Sequence, residues 1–492
     1  MKHLSKLAAA ALLAALPLSA QAAKDSVTLS MTLEPPGLDP TTGAAAAIAQ
    51  ITLYNIYEGL TRINEDSTVS PMLAESWTVS DDGKVYTFNL RKGVTFHDGS
   101  SFDSADVKFT YERNAAEDSK NKRKKYFTNM ESIETPDAHT VRVTLKEPRP
   151  TFLFNMGEST AVIVGTESAA SNATKPVGTG PFKFVKWTKA DSVQLEKWAG
   201  FRDAGSVKLN KVTFKFINDP AAQTAAILAG DIDIIPNLSA EMLDPFRNHP
   251  NLEVLSGTTE GETILATNNK RPALAKLKVR QAIAHAINRQ ELIDGAMSGE
   301  ATPIGTHFAP HNPDYVADTI NTYPHDLAKA KALLKEAGEE GLSLTLQLPP
   351  VGYARNGGQI VAQQLEKAGM KVKIENVEWA QWLDVVYKQR NYDLTIVSHV
   401  EPMDIGIYAN PNYYYQYDSK ELQAIMAKAD GTTDSAVRSK HLKEAQRKIA
   451  ADAVNGFLFQ LHKSVVKPKA LSGIWANSPM FVNDMRAVSW GN

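Results

Sequence analysis

The sequence predicts an α/β protein of more than one domain, on three observations. Strand and helix patterns alternate between Leu342 and Val397, an arrangement that needs crossover connections and a parallel sheet. The 492 residues exceed what one core organises and suit two or three domains of about 100 to 200 residues. Dense turn chemistry at Asp81-Asp82-Gly83-Lys84 and from Pro176 to Phe182 punctuates the first half.

At the N-terminus, Lys2 and Lys6 precede an apolar Leu/Ala run from Leu7 to Ala20, and Ala20-Gln21-Ala22 offers the small residues of a cleavage site. This pattern predicts a secretory leader over 1–22, shorter than the roughly 20 apolar residues that cross a bilayer comfortably. Export without any cysteine leaves stability to the core, excludes thiol catalysis and thiolate metal sites, and gives no residue for a lipid anchor. Without Lys2 and Lys6 the 53 basic residues fall to 51 against 55 acidic ones, a formal charge of −4. Such a balance carries no electrostatic footprint for nucleic acid or an anionic membrane. The one basic run, Lys120 to Lys125 with Arg123 inside it, reads as a solvated loop or helix end.

Tyr86, Phe88 and Leu90 alternate with Thr87, Asn89 and Arg91, so the turn at 81–84 closes a hairpin. Asp103 or Ser104 caps a following helix whose Val107, Phe109 and Tyr111 pack on that hairpin. Strands are expected over 182–187 and 207–217, the latter with Val212, Phe214 and Phe216 on one face. Val279, Ala282, Ile283, Ala286 and Ile287 share a helical face; Asp326 caps a second helix that stops at Gly338. Leu342 to Leu348 alternates as a strand, a helix runs from about Gln359 to Ala368, Met370 to Ile374 alternates again, Trp379 to Tyr387 is helical, and Asp393 to Val397 is a short strand.

Ligands of open α/β sheets bind beyond the carboxyl ends of the strands, which makes the segment Ser398 to Asp404 the first candidate for ligand contact. His399 there is equally suited to touch a ligand or to bond within the core. Tyr413 and Tyr415, in the run Tyr413-Tyr414-Tyr415-Gln416-Tyr417, can stack on a ligand or pack as cleft wall. Catalytic motifs are absent from the sequence. Gly178-Thr179-Gly180 has Lys183 where a dinucleotide fingerprint needs its third glycine, and there is no phosphate loop, nucleophile elbow or zinc-protease helix. His307 and His311 are four apart, but Pro310 between them precludes the helix that would join them on a metal. No cofactor or metal is expected.

A series of segments resembles the family 5 solute-binding proteins, extracytoplasmic receptors that serve ABC importers. They are Glu34-Pro35-Pro36-Gly37-Leu38-Asp39-Pro40, Tyr57-Glu58-Gly59-Leu60, Pro71 to Trp77, Tyr86 to Arg91, Phe96-His97-Asp98-Gly99, Asp106 to Tyr111 and Phe457-Leu458-Phe459. The resemblance implies a two-lobed periplasmic binding protein-like fold, type II and cluster C-like, with an extra α+β subdomain in lobe I, and, after the turn at 176–182, a helix from Asp219 and a strand near Asp231 to Asp233. It implies a lobe I core from 23–56, 176–262 and 467–492, the subdomain from 57–175, and lobe II from 263–466. It further implies a non-enzymatic, monomeric receptor in a Gram-negative periplasm, delivering a peptide or peptide-like solute to a permease and ATPase. In the family's peptide-binding members an aspartate three residues before a Glu-Pro or Asp-Pro pair holds the ligand's amino group. Here the pair is Glu401-Pro402 and the matching residue is Ser398. A hydroxyl cannot neutralise a buried ammonium, so either Glu401 or Asp404 substitutes, or the solute is an opine, glycoside or metal chelate. Arg355, in the glycine-flanked stretch 351–358, is a candidate partner for a ligand carboxylate or an exposed loop arginine.

Overall fold

A computed structural model describes residues 24–43 and 45–491; the expected leader lies outside the described residues. Two four-stranded sheets share the first half of the chain. One runs Ser26–Met31, Lys211–Phe216, Ser192–Lys197, Phe182–Thr188 in spatial order, the first pair parallel and the others antiparallel. Its inward side chains Leu29, Val193, Leu195, Val212 and Phe214 share a core with the helix Ala46–Thr52 and with Val465 and Val488 from the end of the chain. Near 231–235 the chain forms only isolated bridges, Ile234 to Leu29 and Ile235 to Val466, where a strand was expected.

The second sheet runs Ala74–Val79, Val85–Leu90, Thr140–Leu145, Met130–Asp137 and is wholly antiparallel. The expected hairpin is its first pair. Asp103 caps the helix Ser104–Ala115 with a full capping box, accepting from Ala105 N at 2.7 Å while Asp106 Oδ2 accepts from Asp103 N at 3.0 Å. Val107 and Tyr111, one turn apart, bury against the hairpin; Phe109 points away and packs on the first core. The three apolar positions therefore serve two cores, which is why they make no single helical stripe. Replacing Asp103 by Ala is expected to cost about 1 kcal/mol, read as a lower denaturation midpoint.

Residues around Gly178 and Gly180 fasten the two units. A Cβ on Gly178 would lie 2.1 Å from the carbonyl oxygen of Ile56, and one on Gly180 2.4 Å from that of Asn55, so only glycine lets these backbones meet. His97 braces this turn. Its Nε2 donates to Gly180 O at 3.0 Å, its Nδ1 accepts from Gly178 N at 3.3 Å, and its ring meets Trp198 edge-on at 4.9 Å. Burial lowers its pKa to about 4, keeping the neutral tautomer this geometry requires.

A six-stranded sheet organises the second half, in the order Ala301–Pro303, Gly456–Pro468, Leu252–Thr267, Leu394–His399, Ser343–Leu348, Lys371–Asn376. Ser343–Leu348 pairs in parallel with both of its neighbours, as the strand-helix alternation implies, whereas the other pairings are antiparallel. The sheet is mixed because the chain enters and leaves this half on two adjacent strands of opposite direction, Leu252–Thr267 and Gly456–Pro468. One face, with Leu265, Leu344, Leu346, Leu394 and Ile396, is covered by the helices Leu277–Ala286, Leu327–Ala337 and Gly352–Lys367. The other, with Ile264, Ala266 and Val397, carries the tyrosines and the helices Lys420–Asp430 and Ser435–Ala451.

The helix expected from about Gln359 begins at Gly352. Gly357 and Gly358 are not loop residues: a Cβ on Gly358 would stand 2.3 Å from Leu348 Cδ1, so the glycines let the helix lie close on the sheet. Arg355 is thus in the helix's first turn rather than in a loop. Trp379–Gln381 is helical and widens into a π-helical turn over Trp382–Lys388.

Candidate functional site

The paired strands Leu252–Thr267 and Gly456–Pro468 run from one lobe's core into the other's: Val465 belongs to the first, Leu265 and Phe459 to the second. Their register is regular down to Thr258 opposite His462 and resumes at Glu262 opposite Gln460, leaving Thr259, Glu260 and Gly261 facing Leu461 alone. Such bulges bend a strand and re-aim a side chain. Side-chain bonds fix this one: Thr259 Oγ1 donates to Leu461 O at 3.0 Å and accepts from Gly261 N at 2.9 Å, while Gln460 Nε2 donates to Thr259 O at 2.5 Å. A Cβ on Gly261 would come within 2.9 Å of Leu461 Cδ1.

The bulge floors a cavity of about 260 Å³ between the lobes. Ala49, Leu53, Phe154, Met480 and Phe481 supply an apolar wall from the first lobe, and Val400, Glu401 and Pro402 face them from the second. Charges of both signs line it. Arg123 hydrogen-bonds Glu401 across the cleft and holds Glu158 on its own side at 3.5 Å; Tyr126 donates to Glu158 at 3.1 Å. Burial pushes the Glu158 carboxyl above its usual range against the pull of Arg123. Glu260 projects from the bulge, its Oε1 3.1 Å from His311 Nε2 and accepting from Ser67 Oγ at 3.3 Å.

Of the seven residues singled out in the sequence, Glu401 alone lines this cavity. Ser398 and His399 end the strand Leu394–His399 rather than follow it; Ser398 N donates to Tyr353 OH at 3.1 Å. His399 Nε2 is 2.9 Å from Tyr414 OH and 2.8 Å from Tyr415 OH, with its pKa lowered by burial. It therefore bonds within the core. Tyr415 is fully buried and Tyr413 half-buried in an aromatic cluster with Tyr387, Tyr408 and Tyr414. Asp404 Oδ1 lies 3.0 Å from His307 Nε2, and Glu262 Oε2 lies 2.5 Å from the ring's Nδ1. Arg355, exposed, donates to Glu378 at 3.3 Å, away from the cavity.

Arg123, Glu158 and Glu260 were not singled out. Arg123 sits in the basic run read as solvated, yet its side chain is only 26% exposed because it spans the cleft. For Glu260 a signal existed: Gly257 and Gly261 interrupt an otherwise strand-like stretch, and glycine inside a strand marks a bulge.

Residues 68–423 match the family description "Bacterial extracellular solute-binding proteins, family 5 Middle". The chain is similar to the glutathione-binding protein GsiB of Pectobacterium atrosepticum, 30% identical over 476 residues and 92% of each chain. It is similar also to the di/tripeptide-binding protein 1 of Pseudomonas aeruginosa, 33% identical over 410 residues, covering 76% of this chain and 75% of that one. Among solved structures it resembles the periplasmic binding protein DppA from Helicobacter pylori in complex with peptide STSA, with a TM-score of 0.70, 26% identity, and coverage of 96% of this chain and 99% of that one. The fold is that of the type II periplasmic binding proteins.

Proposed function

Because the chain belongs to family 5 of the bacterial extracellular solute-binding proteins, we propose that it is the periplasmic receptor of an ABC importer for a peptide or peptide-like solute. The observation that carries this reading is the cavity at the strand crossover, walled by both lobes, apolar in the middle and charged with both signs at its edges. A short zwitterion suits such a lining, since its ends need opposite charges and its body needs apolar contact. Closure of the lobes about the solute buries it without altering it chemically, the hinge mechanism of such binding proteins. The Arg123–Glu401 pair joins the lobes across the cleft.

We read the lobes as the resemblance implies, a first from 23–56, 176–262 and 467–492 with the subdomain 57–175 inserted and a second from 263–466, except that Val465 and Val466 pack in the first lobe. The receptor acts as a monomer, exported by its leader to a Gram-negative periplasm, and hands its cargo to an inner-membrane permease and its ATPase. Among the described residues no helix is long and apolar enough to cross a membrane. A second reading, a non-peptide solute such as an opine, glycoside or metal chelate, is favoured by Ser398 at the position of the family's amine-binding aspartate.

Differential scanning fluorimetry with glutathione, dipeptides, tripeptides and their blocked analogues tests the reading. A ligand at a hundred times its Kd adds about 2.7 kcal/mol, an upward shift of the melting midpoint. Small-angle scattering with the same ligand is expected to show a smaller radius of gyration. No shift with any of these compounds rejects the peptide assignment.

A further inference from the structure

We infer that Glu260, on the bulge between the lobes, is the anchor for a ligand ammonium group; this rests on the peptide reading above. Glu401 is bonded to Arg123 and is 48% exposed, and Glu158 is shared between Arg123 and Tyr126. Asp404 is engaged by His307. Ser398 carries no charge. Glu260 has a histidine partner as Asp404 does, but it differs in its place and in lacking an arginine. Its side chain is 10% exposed, it lines the cavity, and among the described residues no lysine or arginine lies within ion-pair distance. His311 and Ser67 engage Oε1, and no described residue bonds Oε2.

A carboxylate held this far from water, with one oxygen on the His311 imidazole and the other unbonded, gains from a further positive group that joins it. Here the group that can join it is one that enters the cavity. The held Oε1 fixes the orientation of the carboxylate, so Oε2 is presented without further ordering cost, the preorganisation that strengthens a charge-assisted bond. The position also suits the mechanics. Glu260 sits where the two strands pass between the lobes, so a ligand bound to it lies at the pivot and meets both walls on closure.

Calorimetric titration of wild type, Glu260→Gln and Glu401→Gln with tri-alanine and N-acetyl-tri-alanine decides the matter. Wild type is expected to favour the free amino terminus by about tenfold to a hundredfold, the worth of a bond to a charged group, and Glu260→Gln to bring that ratio close to one. A ratio unchanged in Glu260→Gln, or lost in Glu401→Gln instead, overturns the inference. If wild type binds both peptides equally, the peptide reading stands and the anchor falls; if it binds neither, the peptide reading fails and takes the anchor with it. Should Glu260→Gln lack native circular dichroism, Glu260→Asp replaces it. Its shortened anchor is expected to reduce the ratio, and an unchanged one overturns the inference.

Discussion

Replacing Arg202 by Ala is expected to destabilise the protein by about 3–5 kcal/mol, the cost of leaving a buried charge without its partner. Glu58 is completely buried, and its two oxygens accept from Arg202 at 2.7 and 2.6 Å, with Thr179 Oγ1 donating to the same carboxylate at 2.9 Å. Burial alone would lower the guanidinium pKa, but the bonds to Glu58 raise it, so the guanidinium keeps its charge. Glu58 also ties the chain locally, because its carbonyl accepts from Ile163 N at 2.9 Å. The measurement is the apparent urea midpoint of Arg202→Ala beside a double variant, Glu58→Gln with Arg202→Met. The double variant removes both charges and should recover much of the loss. An Arg202→Ala midpoint equal to wild type would show that the pair contributes nothing.

The second large effect depends on pH and concerns His307. Its imidazole is buried between Glu262 and Asp404. Burial by itself lowers the pKa, but the two carboxylates outweigh it and raise the value from 6.5 to about 10. A histidine whose pKa is higher in the folded than in the unfolded state binds more protons when folded. The stability it contributes is complete below pH 6.5 and is lost as pH rises through about 10. Its size is bounded by about 5 kcal/mol. The stability gap between wild type and His307→Gln should therefore narrow steadily from pH 6.5 to 10 in denaturant titrations. Comparing the two proteins at each pH cancels other groups that titrate there, such as Lys463, which burial brings down to about 8. A gap that stays constant over this range contradicts the assignment.

The sequence was most legible where side-chain pattern and backbone agree. Asp326 and Gly338 bracket a helix with the cap and the left-handed stop expected of them, and Leu344, Leu346 and Leu348 all enter one core. It misled where glycine has two uses. Gly357 and Gly358 resemble loop residues in sequence, but serve as clearance for a helix lying on a sheet, which moved Arg355 out of the loop assigned to it. The cavity was least legible. Its walls come from segments as distant as Ala49, Arg123, Phe154, Glu260, Glu401, Leu461 and Phe481, and no local periodicity registers a surface assembled from seven separate stretches. Glu401 was found because it follows a strand end; Glu260 was missed because an irregularity in a strand has no period.

The crowding at Gly178 and Gly180 also bears on how such a protein can change over generations. Any side chain at either position would strike the main chain at 55 and 56, a collision that no repacking of neighbouring side chains relieves. Substitution is closed there whatever cargo is carried, whereas the exposed Val400 in the cavity wall can be exchanged at little structural cost. Descendants of one ancestor can thus diverge widely in diet while keeping an unchanged signature in their skeleton.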